Sequence, residues 1–314
     1  MKKILVTGGA GFLGSHLAEK LINKGNYVIA ADNLCTGNLK NIEKLLVRSN
    51  FEFIEHDIIK PIDIKVDEIY NMACPASPPK YQEDPIFTFK SSVFGVYNLL
   101  ELAKKYNAKF LQSSTSEVYG DPLVHPQAEG YKGNVSFCGI RSCYDEGKRA
   151  AETLIMDFRR MYSLNTKIAR IFNTYGPNMN KNDGRVISNF INQALGRKNI
   201  TLYGDGKQTR SFCYVDDTIE AIIKLMETDD SVYFPINIGN PDEKSIKEIA
   251  ELVVKLTSSS SKIIYEKLPE DDPVKRCPDI TKAKNILNWT PSVNLKDGLI
   301  RTIDYFKDIK TTNE

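Results

Sequence analysis

Tyr144 and Lys148 are the two side chains of this sequence whose types and spacing best suit proton chemistry. They stand at the start of a stretch with helical spacing, and residues i and i+4 share one face of a helix. An ammonium group stabilises a neighbouring phenolate, so we expect Lys148 to lower the pKa of Tyr144 until it accepts a proton near neutral pH. By itself the pattern is common on protein surfaces. The reactive interpretation therefore depends on the groups that lie beside the pair.

A strand end rich in hydroxyl groups supplies such groups about thirty residues earlier in the chain. The segment from Ser113 to Glu117, which includes Thr115 and Ser116, follows an apolar stretch that is typical of a buried strand. We expect this strand end and the Tyr-Lys pair to meet in one site.

Three glycines, Gly8, Gly11 and Gly14, follow the first predicted strand and open the first predicted helix. Glycine lets the backbone turn and approach a pyrophosphate, while a helix N-terminus offers N–H donors and a positive dipole end. The turn, which also contains Phe12 and Leu13, matches the dinucleotide fingerprint in the strand-turn-helix context that it requires.

Asp32 ends the second predicted strand, where the same fingerprint expects a ligand for the ribose diol. A carboxylate accepts a hydrogen bond from the 2′-hydroxyl but repels a 2′-phosphate, and the next residue is Asn33 rather than arginine. NAD is therefore predicted over NADP. Asp57 is expected near the adenine, with a helix N-cap as its alternative role.

Short β-branched runs alternate with helical patterns through the first half of the chain. The patterns predict strands over 3–7, 27–31, 51–55, 68–72, 109–113 and 167–172, and helices over 12–23, 85–106 and 144–162. The alternation predicts a Rossmann-type α/β fold with a doubly wound parallel sheet in residues 1–176. Helices over 185–195, 216–227 and 245–256 and strands over 200–203 and 236–238 indicate a smaller C-terminal α/β substrate lobe in residues 177–314, from which some segments can return to the first domain.

The composition narrows the classes of partner that this chain is expected to bind. The 42 Lys and Arg residues and 40 Asp and Glu residues leave a formal charge of +2, so no global field indicates nucleic acid or a membrane. The absence of a long apolar run and of a signal-peptide pattern predicts a cytoplasmic protein. The six cysteines show no zinc-type spacing, and His16, His56 and His125 are not expected to cluster with them, so neither a metal site nor a disulfide is expected.

Longer segments carry a resemblance to a known family. GGAGFLGSHL and the Tyr-Lys motif mark the extended short-chain dehydrogenase/reductases, whereas PASPP, TSEVYGDP and CYDEGKR are more specific. Together with DNLCTGNLKNI, ARIFNTYGP, YGDGKQTRSFCYVDD and DDPVKRCPDITKAK, they resemble the UDP-glucuronate decarboxylase (UDP-xylose synthase) family over nearly the whole chain. The resemblance implies an NAD-dependent carboxy-lyase acting on a UDP-sugar.

The resemblance also implies roles for the catalytic positions. Thr115 hydrogen-bonds the sugar O4, Tyr144 is the base and Lys148 supports it. Similar 4,6-dehydratases have Asp-Glu where this chain has Ser116 and Glu117. That Asp is the acid that expels the C6 hydroxyl, so dehydration is disfavoured here.

Decarboxylation needs no such acid. Oxidation at C4 turns a C6 carboxylate into a β-keto acid, which loses carbon dioxide and leaves an enolate that is protonated at C5. Ser116 and Glu117 are expected to position the carboxylate, and Arg276 to supply or relay the proton. Beside a substrate carboxylate, Glu117 must itself be protonated or be screened by Arg276.

Further residues are expected to hold the two ligands. The remaining NAD contacts are expected at Thr36, Gly37, Ile58, Ala73 and Ile171. The resemblance places UDP-sugar contacts at Pro75 and Tyr81 in a stiff loop, and at Asn173, Arg185, Tyr203, Gln208, Arg210 and Arg276 in loops of the second half. Arg210 and Arg276 suit a diphosphate because guanidinium binds it bidentately.

Two departures from the family lie near the expected sugar pocket. Cys74 replaces a small hydroxyl residue, and segment 136–141 lacks prolines on either side of Gly139. They leave UDP-N-acetylglucosaminuronate open as the substrate. Three competing functions are a 4,6-dehydratase, a 4-epimerase, which does not need Glu117, and a non-catalytic NAD-binding regulator, which would be expected to lack Tyr144 or Lys148.

A homodimer is the expected assembly. The predicted helices over 85–106 and 144–162 match the two helices with which similar enzymes build a four-helix bundle between subunits.

Overall fold

The structure is a computed structural model that describes residues 1–267 and 275–312. In chain order its strands are β1 (Lys3–Thr7), β2 (Tyr27–Asp32), β3 (Phe51–Glu55), β4 (Glu68–Asn71), β5 (Lys109–Thr115), β6 (Thr166–Ile171), β7 (Thr174–Tyr175), β8 (Ile200–Tyr203), β9 (Thr209–Ser211), β10 (Cys213–Tyr214), β11 (Ile236–Ile238), β12 (Glu243–Ser245), β13 (Ile263–Glu266) and β14 (Lys275–Arg276). Its α-helices are α1 (Phe12–Asn23), α2 (Pro78–Glu83), α3 (Pro85–Lys90), α4 (Val96–Tyr106), α5 (Ser142–Tyr162), α6 (Val186–Leu195), α7 (Val215–Glu227), α8 (Ile246–Thr257), α9 (Thr281–Leu287) and α10 (Leu295–Thr312).

Seven strands form one parallel sheet in the order β11-β6-β5-β4-β1-β2-β3. Successive strand residues enter opposite layers of the core: Ile4 and Val6 pack on the side of α1 and α7, and Leu5 packs on the side of α4 and α5. Apolar side chains on both faces explain the nearly continuous hydrophobic runs of these strands. The predicted doubly wound α/β fold is confirmed.

The helix predicted over 85–106 is interrupted. It consists of α3, a π-helical turn over Ser91–Gly95, and α4. A Cβ atom at Gly95 would lie 2.5 Å from Cδ1 of Ile58, so the turn brings the backbone unusually close to the segment that follows β3. Sequence periodicity cannot show one extra residue in a helical turn.

The second lobe contains a three-stranded sheet in the order β12-β9-β14, the pair β13-β8, and helices α6 and α8. Ser245 begins α8 with a capping box to Glu248. The strands β9, β12 and β14 were not predicted, because two or three residues carry no periodic signal. Three segments beyond residue 177 lie with the main sheet: β11 pairs with β6, α7 packs on the α1 side, and α9 packs against β11 and α7. None of the described helices is long and apolar enough to cross a membrane.

We expect Gly14→Ala to destabilise the first turn. A Cβ atom at this position would lie 2.0 Å from the carbonyl oxygen of Gly8, and neither backbone segment can move freely. The free energy of unfolding should fall by about 1–3 kcal/mol, the usual cost of overpacking. Thermal or urea unfolding measures it, and Gly130→Ala is the control because a methyl group there would have no neighbouring atom within 4 Å. Equal stability of the two variants would contradict this account of the turn.

Candidate active site

A cleft of about 1720 Å³ opens at the carboxyl ends of the main-sheet strands and is closed on its other side by the second lobe. Ligands of open α/β sheets bind at this edge. Every residue predicted above for catalysis, NAD or the UDP-sugar lines this cleft. Residues 271–274, the first four of the DDPVKR motif, lie outside the described residues.

The turn after β1 has the properties of a phosphate cradle. Gly8 adopts a φ of +66°, a conformation that favours glycine. The N-cap of α1, Gly11, makes no side-chain capping bond, and the first turn of α1 contains no acidic residue. The N–H groups and the positive end of the helix dipole are thus available to an anion.

Asp32 is held at the end of β2 by two backbone donors. Its carboxylate accepts from the N–H of Ala10 at 3.0 Å and of Leu34 at 2.8 Å, and burial raises its pKa. A Cβ atom at Gly37 would lie 2.8 Å from the carboxylate oxygens, so only glycine leaves them open to a ligand. The remaining lone pairs can accept from ribose hydroxyls. These residues fit NAD.

Two of the predicted NAD contacts, Asn33 and Asp57, accept hydrogen bonds from nearby backbone N–H groups. Asn33 accepts from the N–H of Cys35 at 3.1 Å, and Asp57 accepts from the N–H of Ile59 at 3.0 Å. Asp57 lies in a turn between β3 and β4 where no described helix begins, so its alternative role as a helix N-cap was wrong.

Tyr144 and Lys148 lie in the first two turns of α5, and both are buried. The Lys148 ammonium donates to the carbonyl of Ser113 at 2.9 Å and lies 5.8 Å from the Tyr144 ring centre. The prediction that Lys148 lowers the pKa of Tyr144 is wrong for the protein chain by itself. Burial, with a smaller contribution from Cys74, raises the pKa of Tyr144 far above its usual value despite an opposing hydrogen bond with Thr115. Burial also lowers the pKa of Lys148.

Tyr81 packs against the reactive phenol. The rings of Tyr81 and Tyr144 stack with centres 5.0 Å apart and planes 6° apart. The PASPPKY segment was expected to be a loop. It is not a loop throughout, because α2 begins within it at Pro78. Proline at the first helical positions needs no N–H bond, so a proline pair starts this helix readily. The Tyr81 hydroxyl is buried and has no hydrogen-bond partner among the described residues.

Glu117 is clamped by two guanidinium groups. Arg141 forms an ion pair with one carboxylate oxygen, and Arg276 approaches the same oxygen at 3.3 Å while donating to the carbonyl of Ser116. Burial alone would raise the pKa of Glu117, but Arg276 and Arg141, with a more distant contribution from Arg210, bring it below its usual value. Of the two expected states of Glu117, protonated or screened, the structure has the screened one.

Arg141 and Asp145 are site residues that the sequence analysis missed. Arg141 precedes α5, and its Nε lies 3.9 Å from Asp145 one turn along the helix. Burial, followed by the charge of Glu117, raises the pKa of Asp145 to about 7, and its Oδ1 atom has no hydrogen-bond partner among the described residues. The spacing of the two residues around Tyr144 in RSCYDEGK was the available signal, because i and i+4 face the same side of the helix.

The wall of the cleft that the second lobe supplies is built partly on strands. Arg210 and Arg276 are register partners on β9 and β14, so their predicted placement in loops was wrong. Both side chains are buried. Arg276 reaches Glu117, which places it at the sugar end as well.

The other predicted UDP-sugar contacts lie on the rim of the cleft. Arg185 is ion-paired with Asp183, and the Gln208 amide donates to the carbonyl of Tyr203 at 2.6 Å. Tyr203 ends β8 with 42% of its surface exposed, which leaves its ring accessible to a ligand. Cys74, the departure from the family, lies 3.3 Å from the Ser92 hydroxyl and close enough to influence Tyr144.

The fold, the glycine turn and the Tyr-Lys pair define an extended short-chain dehydrogenase/reductase, and the family model for GDP-mannose 4,6 dehydratase matches residues 5–302. The chain is 54% identical to UDP-glucuronic acid decarboxylase 5 of Arabidopsis thaliana over 95% of this chain and 87% of that protein. It is 50% identical to UDP-glucuronic acid decarboxylase 1 of Xenopus tropicalis over 98% of this chain and 72% of that protein. The chain belongs to the UDP-glucuronic acid decarboxylase family.

Solved structures show the same architecture. The UDP-glucuronic acid 4-epimerase of Bacillus cereus in complex with UDP-glucuronic acid and NAD is similar, with a TM-score of 0.89 and 31% identity. The match covers 98% of this chain and 99% of that one.

We expect Asp32→Ala to weaken NAD binding at least about 10-fold, since hydrogen bonds to a charged group contribute about 1.5–3 kcal/mol each. Titration of the NAD-free protein, followed by fluorescence or calorimetry, measures the change. Asp63→Ala is the control, because Asp63 pairs with Lys105 on the surface. Unchanged NAD affinity in Asp32→Ala would refute the assigned role of this carboxylate.

Proposed function

We propose that this chain catalyses the NAD-dependent decarboxylation of UDP-glucuronate to UDP-xylose. The observation that carries the proposal is the clamp on Glu117: a carboxylate paired with two guanidinium groups beside Ser116. An ion-paired carboxylate of lowered pKa is a weak base, and a serine cannot act as the acid that expels a hydroxyl. Arg141 and Arg276 together carry one positive charge more than Glu117, which suits a substrate that carries a carboxylate at C6.

The reaction follows from these groups. The NAD that the glycine turn and Asp32 would hold would supply the hydride acceptor for oxidation at C4 of the sugar and the hydride donor for its re-reduction. Tyr144 takes the proton of the O4 hydroxyl, since the positive charge of bound NAD would offset the burial that raises its pKa, and Thr115 supports O4 by a hydrogen bond. The C5–C6 bond then breaks, its electron pair enters the C4 carbonyl, and C5 of the enolate takes a proton. Tyr144 finally returns its proton to O4.

The clamp assigns distinct tasks to the two arginines. Arg276 contacts both Ser116 and Glu117, so it can hold the sugar carboxylate before bond cleavage and pass a proton toward C5 afterwards. Arg141 keeps Glu117 ionised and holds its carboxylate in place.

Incubation of the purified protein with UDP-glucuronate tests the proposal directly. Mass detection should show a sugar nucleotide lighter by about 44 daltons, the mass of carbon dioxide, after keto formation and re-reduction. UDP-N-acetylglucosaminuronate and UDP-glucose are the comparison substrates. Decarboxylation of UDP-N-acetylglucosaminuronate but not of UDP-glucuronate would mean that the N-acetylated sugar is the substrate. A 4-keto-6-deoxy product from UDP-glucose would refute the proposed decarboxylation.

Tyr144→Phe should abolish reduction of bound NAD when UDP-glucuronate is added, because the phenol oxygen that takes the O4 proton is missing. Stopped-flow absorbance at the nicotinamide band measures this step. Tyr131→Phe is the control, since that hydroxyl lies outside the cleft and contacts the backbone N–H of Leu123. Normal turnover in Tyr144→Phe would exclude Tyr144 as the base.

Glu117→Gln should impair a step that follows the oxidation at C4. The amide keeps the shape of the side chain but removes the charge that balances Arg141 and Arg276, so overall turnover should fall by about 10²-fold or more while a transient NADH signal survives. Glu146→Gln is the matched control, because Glu146 pairs with Arg149 on the outer face of α5. Loss of the NADH transient together with turnover would place Glu117 in the oxidation step instead.

We propose further that the protein is a cytoplasmic homodimer. Apolar side chains are exposed along the adjoining α3–α4 segment and the end of α5: Ile86, Phe89, Phe94, Tyr97, Met161 and Tyr162. Exposed apolar side chains grouped on one pair of helices are typical of a protein interface, and two copies of the helix pair would form a four-helix bundle. The cytoplasmic location rests on the six unpaired cysteines, which suit a reducing compartment.

Phe94→Glu should dissociate this dimer by introducing a charge into its apolar interface, and light scattering at micromolar concentration measures the mass. Phe137→Glu is the control: Phe137 is 85% exposed but lies outside the helix pair. A monomeric wild type, or a dimer that survives Phe94→Glu and not Phe137→Glu, would contradict the proposed interface.

A further inference from the structure

Three potential metal ligands from distant parts of the chain meet in the second lobe, outside the residues that line the cleft. One ligand atom each of His125, Glu243 and Cys277 lies within 4.8 Å of the other two. The expectation that His125 clusters with no cysteine was therefore wrong. About 150 residues separate His125 from Cys277, and bridge pairing between Gln127 and Pro278 brings them together.

Hydrogen bonds hold the three side chains in place. One oxygen of Glu243 accepts from the Thr209 hydroxyl at 2.7 Å, which leaves the other oxygen 2.9 Å from Nε2 of His125. Gln127 fixes Cys277 by two bonds of 2.9 Å each, one to its N–H and one from its own N–H to the Cys277 carbonyl. Such outer contacts orient metal ligands in known sites.

We propose that His125, Glu243 and Cys277 form a binding site for a divalent transition-metal ion of the zinc class. Imidazole, thiolate and carboxylate together match zinc, whereas Mg²⁺ and Ca²⁺ take oxygen ligands. In a tetrahedral zinc site neighbouring ligand atoms lie about 3.3–3.6 Å apart, so movements on the order of 1 Å complete the geometry. The side chains of His125 and Glu243 are 34% and 25% exposed, which gives the ion access and leaves water as the fourth ligand.

A nucleophilic Cys-His-Glu triad is the competing role for the same residues. Among the described residues the Cys277 thiol donates to the carbonyls of Pro241 and Pro278 and makes no hydrogen bond with His125, so His125 is not placed to activate it as a nucleophile. A metal ion replaces the thiol proton and takes the thiolate as a ligand.

A metal ion at this site would connect the two outer strands of the sheet that carries Arg210 and Arg276. Glu243 begins β12, Cys277 directly follows β14, and β9 lies between these strands. A bound ion therefore joins both edges of the sheet that holds Arg210 and Arg276. It is expected to stabilise this lobe without taking part in the sugar chemistry.

Cobalt is the probe, because a thiolate ligand gives Co²⁺ an intense charge-transfer absorption. The holoenzyme, dialysed against a chelator, should bind one Co²⁺ per chain with this band, and Zn²⁺ should displace it and raise the melting temperature. Cys277→Ser should lose the band. His125→Asn, at a position where 34% of the side chain is exposed, should weaken binding at least about 10-fold. Cys138→Ser, which removes an exposed cysteine elsewhere, should behave as wild type.

Two results would overturn the proposal. One is the absence of a charge-transfer band with stoichiometric Co²⁺ in wild type. The other is equal Co²⁺ binding by wild type, Cys277→Ser and His125→Asn, which would mean an adventitious ion only. The measurement is independent of decarboxylase activity, so failure of one proposal leaves the other standing.

Discussion

Glu117 keeps a negative charge in a cleft that leaves only 17% of its side chain exposed, and Arg141 and Arg276 balance that charge from two directions. An unpaired carboxylate in such a setting would cost several kcal/mol or take up a proton. With both guanidinium groups in place it stays ionised and is a poor base. The same groups leave the pocket with an excess of positive charge, and this excess favours a uronic acid over a neutral sugar.

The clamp also joins the parts of the fold that form the site. Glu117 lies two residues beyond the end of β5 of the main sheet, Arg141 precedes the helix that carries Tyr144, and Arg276 lies on β14 of the second lobe. One carboxylate thus contacts the sheet edge, the catalytic helix and the lobe that closes the cleft. A change in any of these contacts is expected to affect both the position of Arg276 and the balance of charge around the sugar.

The sequence predicted best what depends on local pattern. The buried strands and the glycine turn follow from periodicity and from backbone geometry at Gly8 and Gly14, and these were correct to within a residue or two. The role of Arg141 depends on contacts across 24 residues of sequence, which no periodic pattern reveals.

Other features depend on burial or on very short elements. The raised pKa of Tyr144 results from desolvation, which outweighs the lysine one turn away. The placement of Arg210 and Arg276 on strands was missed because β9 and β14 contain three and two residues. The meeting of His125 and Cys277 depends on the pairing of distant segments, which sequence spacing cannot show.

Calorimetric titration of the Tyr144→Phe protein, which should not turn the substrate over, with UDP-glucuronate and with UDP-glucose tests the central claim most directly, because the two ligands differ only in a carboxylate at C6. The clamp predicts that UDP-glucuronate binds at least about 10-fold more tightly, the scale of one charge-assisted hydrogen bond. It also predicts that Arg141→Met reduces this preference, because Glu117 then repels the substrate. Equal affinity for the two ligands, or tighter binding of UDP-glucose, would contradict the account.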